Sequence, residues 1–199
     1  MKLRERAPVR WLAHAVGRRG ADSQVTLPER ACLMRHAAGR RRLVEIGVMH
    51  GVTTALLRSV MDPRGTITGV DPHPAGRLGV SFERLIALRE IGRPRHGRAV
   101  LLRTLSHEAA ARWREPIDFL FIDGDHSWQG IERDWLGWSR FLVPGGIVAL
   151  HDSRSVPTRP DLDSVRYTEQ VVLRDERFRL VETVESLTIL ARRGEAGRA

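Results

Sequence analysis

The sequence predicts an α/β fold: a doubly wound, mostly parallel sheet with an antiparallel pair of strands at its C-terminal end. Three observations support this prediction. Short apolar segments alternate with segments of helical spacing from Leu43 onward. The segment 117–122 is largely apolar and β-branched at both ends, as in a central strand. The tail then changes rhythm, because segments 178–181 and 186–190 are separated only by a short polar turn, which is typical of an antiparallel pair.

The elements follow in a regular order. Before the tail, the predicted strands are 43–46, 66–70, 98–102, 117–122 and 147–150. The predicted helices are 28–36, 53–61, 82–91, 106–113 and 128–142. Pro28 suits the first turn of its helix, and Pro144-Gly145-Gly146 stops the last one. With no internal repeat or linker, residues 1–199 are predicted to form a single domain, with 1–27 as an N-terminal arm or helix.

Composition restricts the class of protein. The chain has 199 residues, of which 42% are hydrophobic and 29% charged, as in a globular domain. No apolar run reaches the roughly 18 residues of a membrane span, and no apolar core follows the basic start. Cys32 is the only cysteine, which excludes an internal disulfide and a cysteine-rich metal site. These features favour a cytoplasmic, reducing location.

The net charge is +9, and Lys2 is the only lysine among 33 basic residues. Such a charge suits nucleic acid or an acidic substrate. The arginines are scattered, however, and are not interleaved with aromatic residues as in a base-stacking surface. We therefore expect a small-molecule substrate rather than nucleic acid, and an acidic acceptor is one hypothesis.

Ligands of doubly wound sheets bind beyond the carboxyl ends of the strands, so the residues at the strand ends are the candidates for ligand binding. Glu45 lies near the end of the first strand, and Gly47 and Gly51 follow that strand. Glycines there permit a sharp turn and close approach of a ligand to the next helix. The spacing is not G-x-G-x-x-G, which weakens a nicotinamide or flavin interpretation. Asp71 ends the second strand, where an acid accepts hydrogen bonds from ribose hydroxyls, although alone it equally suits a turn before Pro72.

The fourth and fifth strands end in titratable residues. Asp123, Asp125 and His126 follow the fourth strand, and His151 and Asp152 follow the fifth. Both strands are apolar, so these side chains are expected to converge on one edge of the sheet. Helix capping would explain a single aspartate, but not histidine and aspartate at two separate strand ends. The cluster is therefore predicted to be functional.

Taken together, these residues resemble the class I S-adenosylmethionine-dependent methyltransferases over about residues 40–192. The closest similarity is to the small-molecule O-methyltransferase branch, which includes catechol, caffeoyl-CoA, and bacterial sugar and macrolide methyltransferases. The most specific stretches are Phe121-Ile122-Asp123-Gly124-Asp125-His126, the helix end 141–146 and the strand with its end, 147–152. The resemblance implies a Rossmann-like sheet with S-adenosylmethionine as cofactor.

The resemblance also implies roles for the strand-end residues. Glu45, Gly47 and Gly51 would surround the methionine and ribose parts of the cofactor. Asp71 would hold the ribose hydroxyls, and Ser106 falls where this branch contacts the adenine.

A divalent metal is implied at Asp123, which also borders the cofactor, together with His151 and Asp152. The family places its general base three residues after the first metal aspartate, here His126. In metal-dependent relatives an acid usually stands where this chain has His151. Magnesium prefers oxygen ligands, whereas imidazole suits manganese, iron, nickel or zinc. The site is thus expected to bind a softer metal, to bind magnesium poorly or to use none, and His126 is either base or ligand.

The expected reaction is methyl transfer to a hydroxyl oxygen of a small molecule. Alternatives are a metal-free N- or O-methyltransferase, an RNA methyltransferase, a Rossmann-like oxidoreductase and a non-catalytic nucleotide-binding module. Acceptor specificity is expected in segments 1–27, 72–81 and 153–164, the last as a mobile lid. Relatives often pair, so a homodimer is also an expectation.

Several histidines and tryptophans lie outside these motifs. His50, in the glycine turn, is open to a substrate-facing or an exposed-loop interpretation. Four other histidines are predicted to lie on the surface: His14, His36, His96 and His107. The tryptophan stripe of the last long helix is predicted to be core, at Trp128, Trp135 and Trp138.

Overall fold

The computed structural model describes residues 7–76, 79–157 and 162–194. Within them the strands, numbered β1 to β7 along the chain, are Arg42–Ile46, Thr66–Val70, Arg98–Leu102, Ile117–Ile122, Leu142–Leu150, Phe178–Val184 and Leu187–Arg192. The α-helices, α1 to α7, are Ala7–Ala15, Leu27–Ala37, Val52–Val60, Phe82–Ile91, Ser106–Arg112, Trp128–Trp138 and Asp163–Gln170. Short 3₁₀ helices lie at Ser139–Phe141 and Val172–Arg174.

The seven described strands form one sheet in the order β3-β2-β1-β4-β5-β7-β6. β1 to β5 are parallel to one another, whereas β7 is antiparallel to both β5 and β6. The predicted fold class is therefore confirmed, including the C-terminal antiparallel pair. From β1 the chain adds β2 and β3 on one side of the sheet, and then β4 and β5 on the other side. The direction of strand order therefore switches between β1 and β4. Ligands of such sheets bind at this switch.

Successive side chains of a strand point to opposite sides of the sheet. Both sets of side chains are largely buried in β1, β2, β4 and the second half of β5, whereas β3 is only partly buried. Leu43 belongs to the core under α2 and α3, and its neighbour Val44 to the core under α5, α6 and α7. In α6, Trp135 and Trp138 are 1% and 0% exposed, which confirms their predicted place in the core. Burying each large apolar side chain of this kind stabilises the fold by roughly 1.5–3 kcal/mol.

The N-terminal region is helical and packed. α1 lies against α4, where Nε2 of His14 is 3.1 Å from a carboxylate oxygen of Glu90. The prediction that His14 is a surface residue is wrong, because this packing leaves it only 2% exposed. α2 begins at a capping box in which Thr26 and Glu29 exchange side-chain and backbone hydrogen bonds. Among the described residues, no helix combines the length and apolar character needed to cross a membrane.

The last long helix is shorter than predicted. It ends at Trp138, and after a 3₁₀ turn the chain enters β5 at Leu142, which pairs with Ile117 at the start of β4. With this pairing, β5 includes Pro144, Gly145 and Gly146. In the sequence these three residues are interpreted as the signal that ends the helix.

The proposed lid segment 153–164 is in part structured. Residues 158–161 of that segment lie outside the described residues, and its last two residues belong to α7. At its start, the hydroxyl oxygen of Ser153 lies within hydrogen-bond distance of the backbone carbonyls of Leu150 and Ser186 and of the hydroxyl of Thr188. The described beginning of the segment is therefore fixed to the sheet.

Candidate active site

A cavity of about 480 Å³ opens at the carboxyl ends of β1, β2 and β4. Its wall includes five of the six residues predicted to bind a cofactor: Glu45, Gly47, Asp71, Ser106 and Asp123. His126 also lines it, so the structure brings together residues that are far apart in sequence. The volume is within the usual range for small-molecule sites.

The two predicted glycines have different roles. Gly47 has φ +84°, and a Cβ there would overlap the backbone carbonyl of Asp123, so only glycine lets the ends of β1 and β4 come this close. Gly51 is the N-cap of α3 with φ +74°, and a Cβ there would lie 2.9 Å from the carbonyl oxygen of Ala87 in α4. Gly51 thus serves helix packing and is not among the described residues of the cavity wall.

Asp71 holds the turn that follows β1. Its Oδ2 accepts hydrogen bonds from the backbone N–H groups of Val48 and Met49, at 3.0 and 2.9 Å. Its Oδ1 accepts from the N–H of His73 at 2.8 Å. Met49 has φ +49°, a conformation uncommon outside glycine, which these bonds stabilise. The carboxylate therefore shapes the turn while it lines the cavity.

Glu45 is a buried acid at the cavity wall. Its side chain is 1% exposed, and its Oε2 has no hydrogen-bond partner among the described residues. Burial, with the negative charges of Asp123 and Asp71 nearby, raises the pKa of Glu45 well above its ordinary value. Burial therefore favours the neutral, protonated form of Glu45, which can donate as well as accept a hydrogen bond.

The structure adds a second buried acid, Asp134, which was not predicted. Asp134 lines the cavity from α6, is 4% exposed, and burial raises its pKa to about 6. Ser106 lies beside it and accepts a hydrogen bond from Nε1 of Trp138 at 2.8 Å. The signal in the sequence was an acid within the apolar stripe of α6, where the tryptophans mark the buried face.

The predicted Asp/His cluster forms beyond β4 and β5. Nδ1 of His151 lies 3.0 Å from Oδ1 of Asp123, and Nε2 of His126 lies 3.4 Å from the same oxygen. Oδ2 of Asp152 is 3.7 Å from Nδ1 of both histidines. The structure therefore brings together the four side chains predicted to hold a metal or act as base.

A second cavity, of about 350 Å³, lies on the other side of this cluster. His151 and Asp152 line it, whereas Asp123 and His126 line the first cavity. Gln24, in the segment before α2, lines both. The cluster thus stands between two adjoining cavities.

Asp152 and Ser164 fix the cluster. Asp152 has φ +47°, a strained conformation for a non-glycine residue that often marks functional sites. Ser164, at the start of α7, donates its N–H to the carbonyl of His126 at 3.1 Å and its hydroxyl to the carbonyl of Asp152 at 2.6 Å. This 1%-exposed serine ties the two strand-end loops together, and nothing in its local sequence predicted that role.

The charges of the cluster depend on one another. Burial alone would lower the pKa of His151, but contacts with Asp123 and Glu29 outweigh it and raise that pKa to about 10. Burial alone would raise the pKa of Asp123, and its contacts with His126 and His151 instead lower it. His151 is therefore an imidazolium held between carboxylates.

The N-terminal segment contributes to the first cavity through Asp22, Ser23 and Gln24. His50 holds this segment, because its Nδ1 accepts the backbone N–H of Asp22 at 3.1 Å. His50 is only 2% exposed, so it is neither an exposed loop residue nor part of the described cavity walls.

The doubly wound fold with this strand-end site is that of a class I methyltransferase. A family model described as a methyltransferase domain matches residues 44–153, more than half of the chain, and the chain belongs to this family. It is an S-adenosylmethionine-dependent methyltransferase, as the sequence predicted.

Solved structures share the fold at low sequence identity. An O-methyltransferase from Bacillus cereus in complex with SAH is 19% identical, with a TM-score of 0.65 over 94% of this chain and 89% of that one. The O-methyltransferase TomG from Streptomyces achromogenes, in complex with SAM, is 18% identical, with a TM-score of 0.61 over 96% and 91%. An rRNA methylase from Streptococcus thermophilus is 13% identical, with a TM-score of 0.60 over 86% and 100%.

Proposed function

We propose that this enzyme transfers the methyl group of S-adenosylmethionine to a hydroxyl oxygen of a small molecule, with His126 as general base. The observation that carries the proposal is the position of the Asp/His cluster between two cavities. A cofactor in the first cavity and an acceptor in the second would meet at this cluster. O-methyltransferases among the structural neighbours are consistent with the same chemistry.

The first cavity suits the cofactor. Asp71 offers carboxylate oxygens to ribose hydroxyls, and Ser106 lies where we place the adenine. Glu45, Gly47 and Asp123 would border the methionine and ribose parts. The ionised carboxylates of Asp71 and Asp123 favour the positive charge of the donor sulfonium, which is lost on transfer. Proximity and alignment of donor and acceptor then supply several kcal/mol of rate enhancement.

His126 is placed to take the proton of the acceptor. Its side chain is 31% exposed, and its Nε2 is buried without a hydrogen-bond partner among the described residues. With its ring proton on Nδ1, toward the carboxylate of Asp152, His126 presents the lone pair of Nε2 for the hydroxyl proton. The same carboxylate stabilises the imidazolium that forms.

The donor atoms of the cluster also fit a divalent metal. Asp123, His126 and His151 each offer an atom within 4.8 Å of the others, and Oδ2 of Asp152 lies 3.7 Å from Nδ1 of His151. We propose Asp123, His151 and Asp152 as its ligands. Mixed nitrogen and oxygen donors favour manganese, iron, nickel or zinc over magnesium. Such an ion would supply Lewis acidity that lowers the pKa of the acceptor hydroxyl.

The described wall of the second cavity bears on the acceptor. It includes the carboxylates of Asp152, Glu185 and Glu29 and the hydroxyls of Thr26 and Ser186. Its described residues include no arginine, although the whole chain is strongly basic. This lining favours a neutral or cationic acceptor with several hydrogen-bond donors over the acidic acceptor that net charge alone suggested.

A metal-free methyltransferase is the second candidate. It is favoured by His151, whose two ring nitrogens already face carboxylates of Asp123 and Glu29. A protonated histidine there supplies a positive charge beside the acceptor without an added ion. The cytoplasmic location and the homodimer remain predictions.

Calorimetric titration tests these proposals. S-adenosylmethionine and S-adenosylhomocysteine are titrated into metal-stripped protein, before and after addition of Mn²⁺, Ni²⁺ or Mg²⁺. Micromolar cofactor binding, with a separate metal signal that is lost in Asp123→Ala, supports the metal-assisted mechanism. Cofactor binding and turnover without any metal signal select the metal-free candidate. Folded protein that binds no cofactor contradicts the assigned donor cavity.

A further inference from the structure

Glu29 makes more contacts than its capping box requires. A glutamate at this position of a helix needs only to accept the N–H of the capping residue, which Oε2 does with Thr26 at 3.0 Å. The same Oε2 lies 3.3 Å from Nε2 of His151. Oε1 accepts from the N–H and the hydroxyl of Ser186, at 3.0 and 2.6 Å. The side chain is 1% exposed, so helix capping does not explain its burial.

His151 is equally constrained. It is 3% exposed, its ring meets Phe121 edge-on at 6.3 Å between centroids, and it is 122 residues from Glu29 in sequence. A carboxylate can only accept, so the nitrogen that faces Glu29 carries a proton. The other nitrogen, Nδ1, is thereby directed at Asp123 and Asp152.

We propose that Glu29 is a positioning residue of the active site, which holds His151 with Nε2–H toward α2 and Nδ1 toward the reacting centre. The inference rests on the proposed function for the role of that centre. A histidine that binds a metal usually donates its second N–H to a carboxylate or carbonyl, which fixes the tautomer and the ring orientation. Glu29 stands in that relation to His151.

This arrangement gives α2 and the β6–β7 turn a part in the chemistry. Glu29 and Ser186 both lie outside residues 44–153, the segment that matches the methyltransferase family. The contacts of Glu29 with both segments therefore fix the orientation of a histidine inside that segment. A change at Glu29 is expected to alter the site without touching the cofactor cavity, whose described wall does not include it.

The test is Glu29→Gln, which keeps the size of the side chain but replaces one acceptor oxygen by an N–H₂ group. The amide cannot accept from Ser186, Thr26 and His151 together, so we expect it to donate to Nε2 of His151. Nε2 then gives up its proton, and the remaining ring proton is held on Nδ1, which faces the proposed metal position. Two readouts follow: the ¹⁵N resonances of the His151 ring at fixed pH, and the affinity for Mn²⁺ in the absence of substrate.

We expect Nε2 to be protonated in the wild type and unprotonated in Glu29→Gln, with about 10–100-fold weaker Mn²⁺ binding. Ser186→Ala is the matched control, because it also removes a buried hydrogen bond of Glu29 but leaves the contact with His151. It should retain the wild-type ring signals and Mn²⁺ affinity. If Glu29→Gln does not fold, Glu29→Asp keeps the charge, withdraws it from His151 and is read in the same way.

Unchanged protonation of Nε2 in the folded Glu29 variant overturns the inference, as does an identical change in Ser186→Ala. If the wild type binds no Mn²⁺, the metal-assisted mechanism fails, and the ring resonances alone still decide the role of Glu29. The two proposals can therefore fail separately.

Discussion

Nδ1 of His126 lies 3.7 Å from Oδ2 of Asp152, although the two residues follow different strands. β4 and β5 are parallel neighbours, and the pair Ile122 and Leu150 brings their carboxyl ends into register. Ser164 then fixes the two loops through its bonds to both backbones. The proposed base and the carboxylate beside it are therefore positioned by backbone structure.

Replacement of His126 tests the base. We expect His126→Ala and His126→Gln to lower kcat by about 10²–10⁴-fold, the usual contribution of a general base. The affinity for S-adenosylmethionine should change little, because Asp71 and Glu45 remain. Release of S-adenosylhomocysteine gives the rate, and calorimetry the affinity. His96→Gln is the control, since His96 is exposed and has no place in the described cavity walls. Near-normal turnover in both His126 variants would remove the base assignment.

Gly47 and Gly145 offer a matched pair for the glycine turn. Both have positive φ, +84° and +74°, but a Cβ at Gly145 meets nothing within 4 Å, whereas at Gly47 it overlaps the carbonyl of Asp123. Gly145→Ala is expected to lower the free energy of unfolding by about 1–2 kcal/mol, the cost of placing a non-glycine residue in the left-handed conformation. Gly47→Ala should destabilise the fold further and weaken cofactor binding, because β1 and β4 must separate. Chemical unfolding and calorimetry measure the two effects, and equal costs in the two variants would contradict this account.

The pKa of Asp134 predicts a dependence of stability on pH. Burial raises it from an ordinary 3.8 to about 6, so between these values the folded protein binds more protons than the unfolded chain. Below pH 4, Asp134 is protonated in both states and does not lower the free energy of unfolding. As the pH rises from 4 toward 6, the unfolded chain releases this proton more readily than the folded protein, so the free energy of unfolding falls. Asp134→Asn removes this cost, and we expect it to raise the free energy of unfolding at pH 7 by on the order of 2 kcal/mol relative to its effect at pH 4. Urea unfolding at both pH values measures the difference, and an equal effect at both would show that Asp134 has an ordinary pKa.

The strand-end rule explains what the sequence could predict. Asp71 and Asp123 directly follow apolar strands and Glu45 is the last but one residue of another, so the fold class alone places them at one edge of the sheet. The same rule predicted that His126 and Asp152 lie close together, because they follow the ends of neighbouring strands. The doubly wound sheet itself could be predicted because short apolar segments alternate with segments of helical spacing along the chain.

Residues that depend on packing could not be predicted. Glu29 carries the pattern of an exposed helix cap, and only the docking of α2 on the β6–β7 turn buries it against His151. His14 is buried because α1 packs on α4, a contact for which the sequence has no periodic signal. Leu142 enters β5 because it pairs with Ile117, and such long-range pairing overrides the local helix pattern.

Asp71 allows the ligand-binding and structural interpretations of a strand-end acid to be separated. In Asp71→Asn one oxygen can still accept from Val48 and Met49, but an N–H₂ group replaces the oxygen that faces the N–H of His73. If the carboxylate also holds the ribose hydroxyls, loss of these charge-assisted bonds should weaken S-adenosylmethionine binding by about 10–100-fold. Calorimetry measures the affinity, and thermal unfolding reports the state of the turn.

Asp62→Asn is the control for that variant, because Asp62 likewise accepts a backbone N–H, from Arg64 at 2.7 Å, in a turn away from both cavities. It should lose some stability and no cofactor affinity. If Asp71→Asn behaves in the same way, with a lower melting temperature and an affinity within twofold of the wild type, then Asp71 only supports the turn. The ribose would then be held by other groups of the cavity, and the backbone of the glycine turn would be the first to examine.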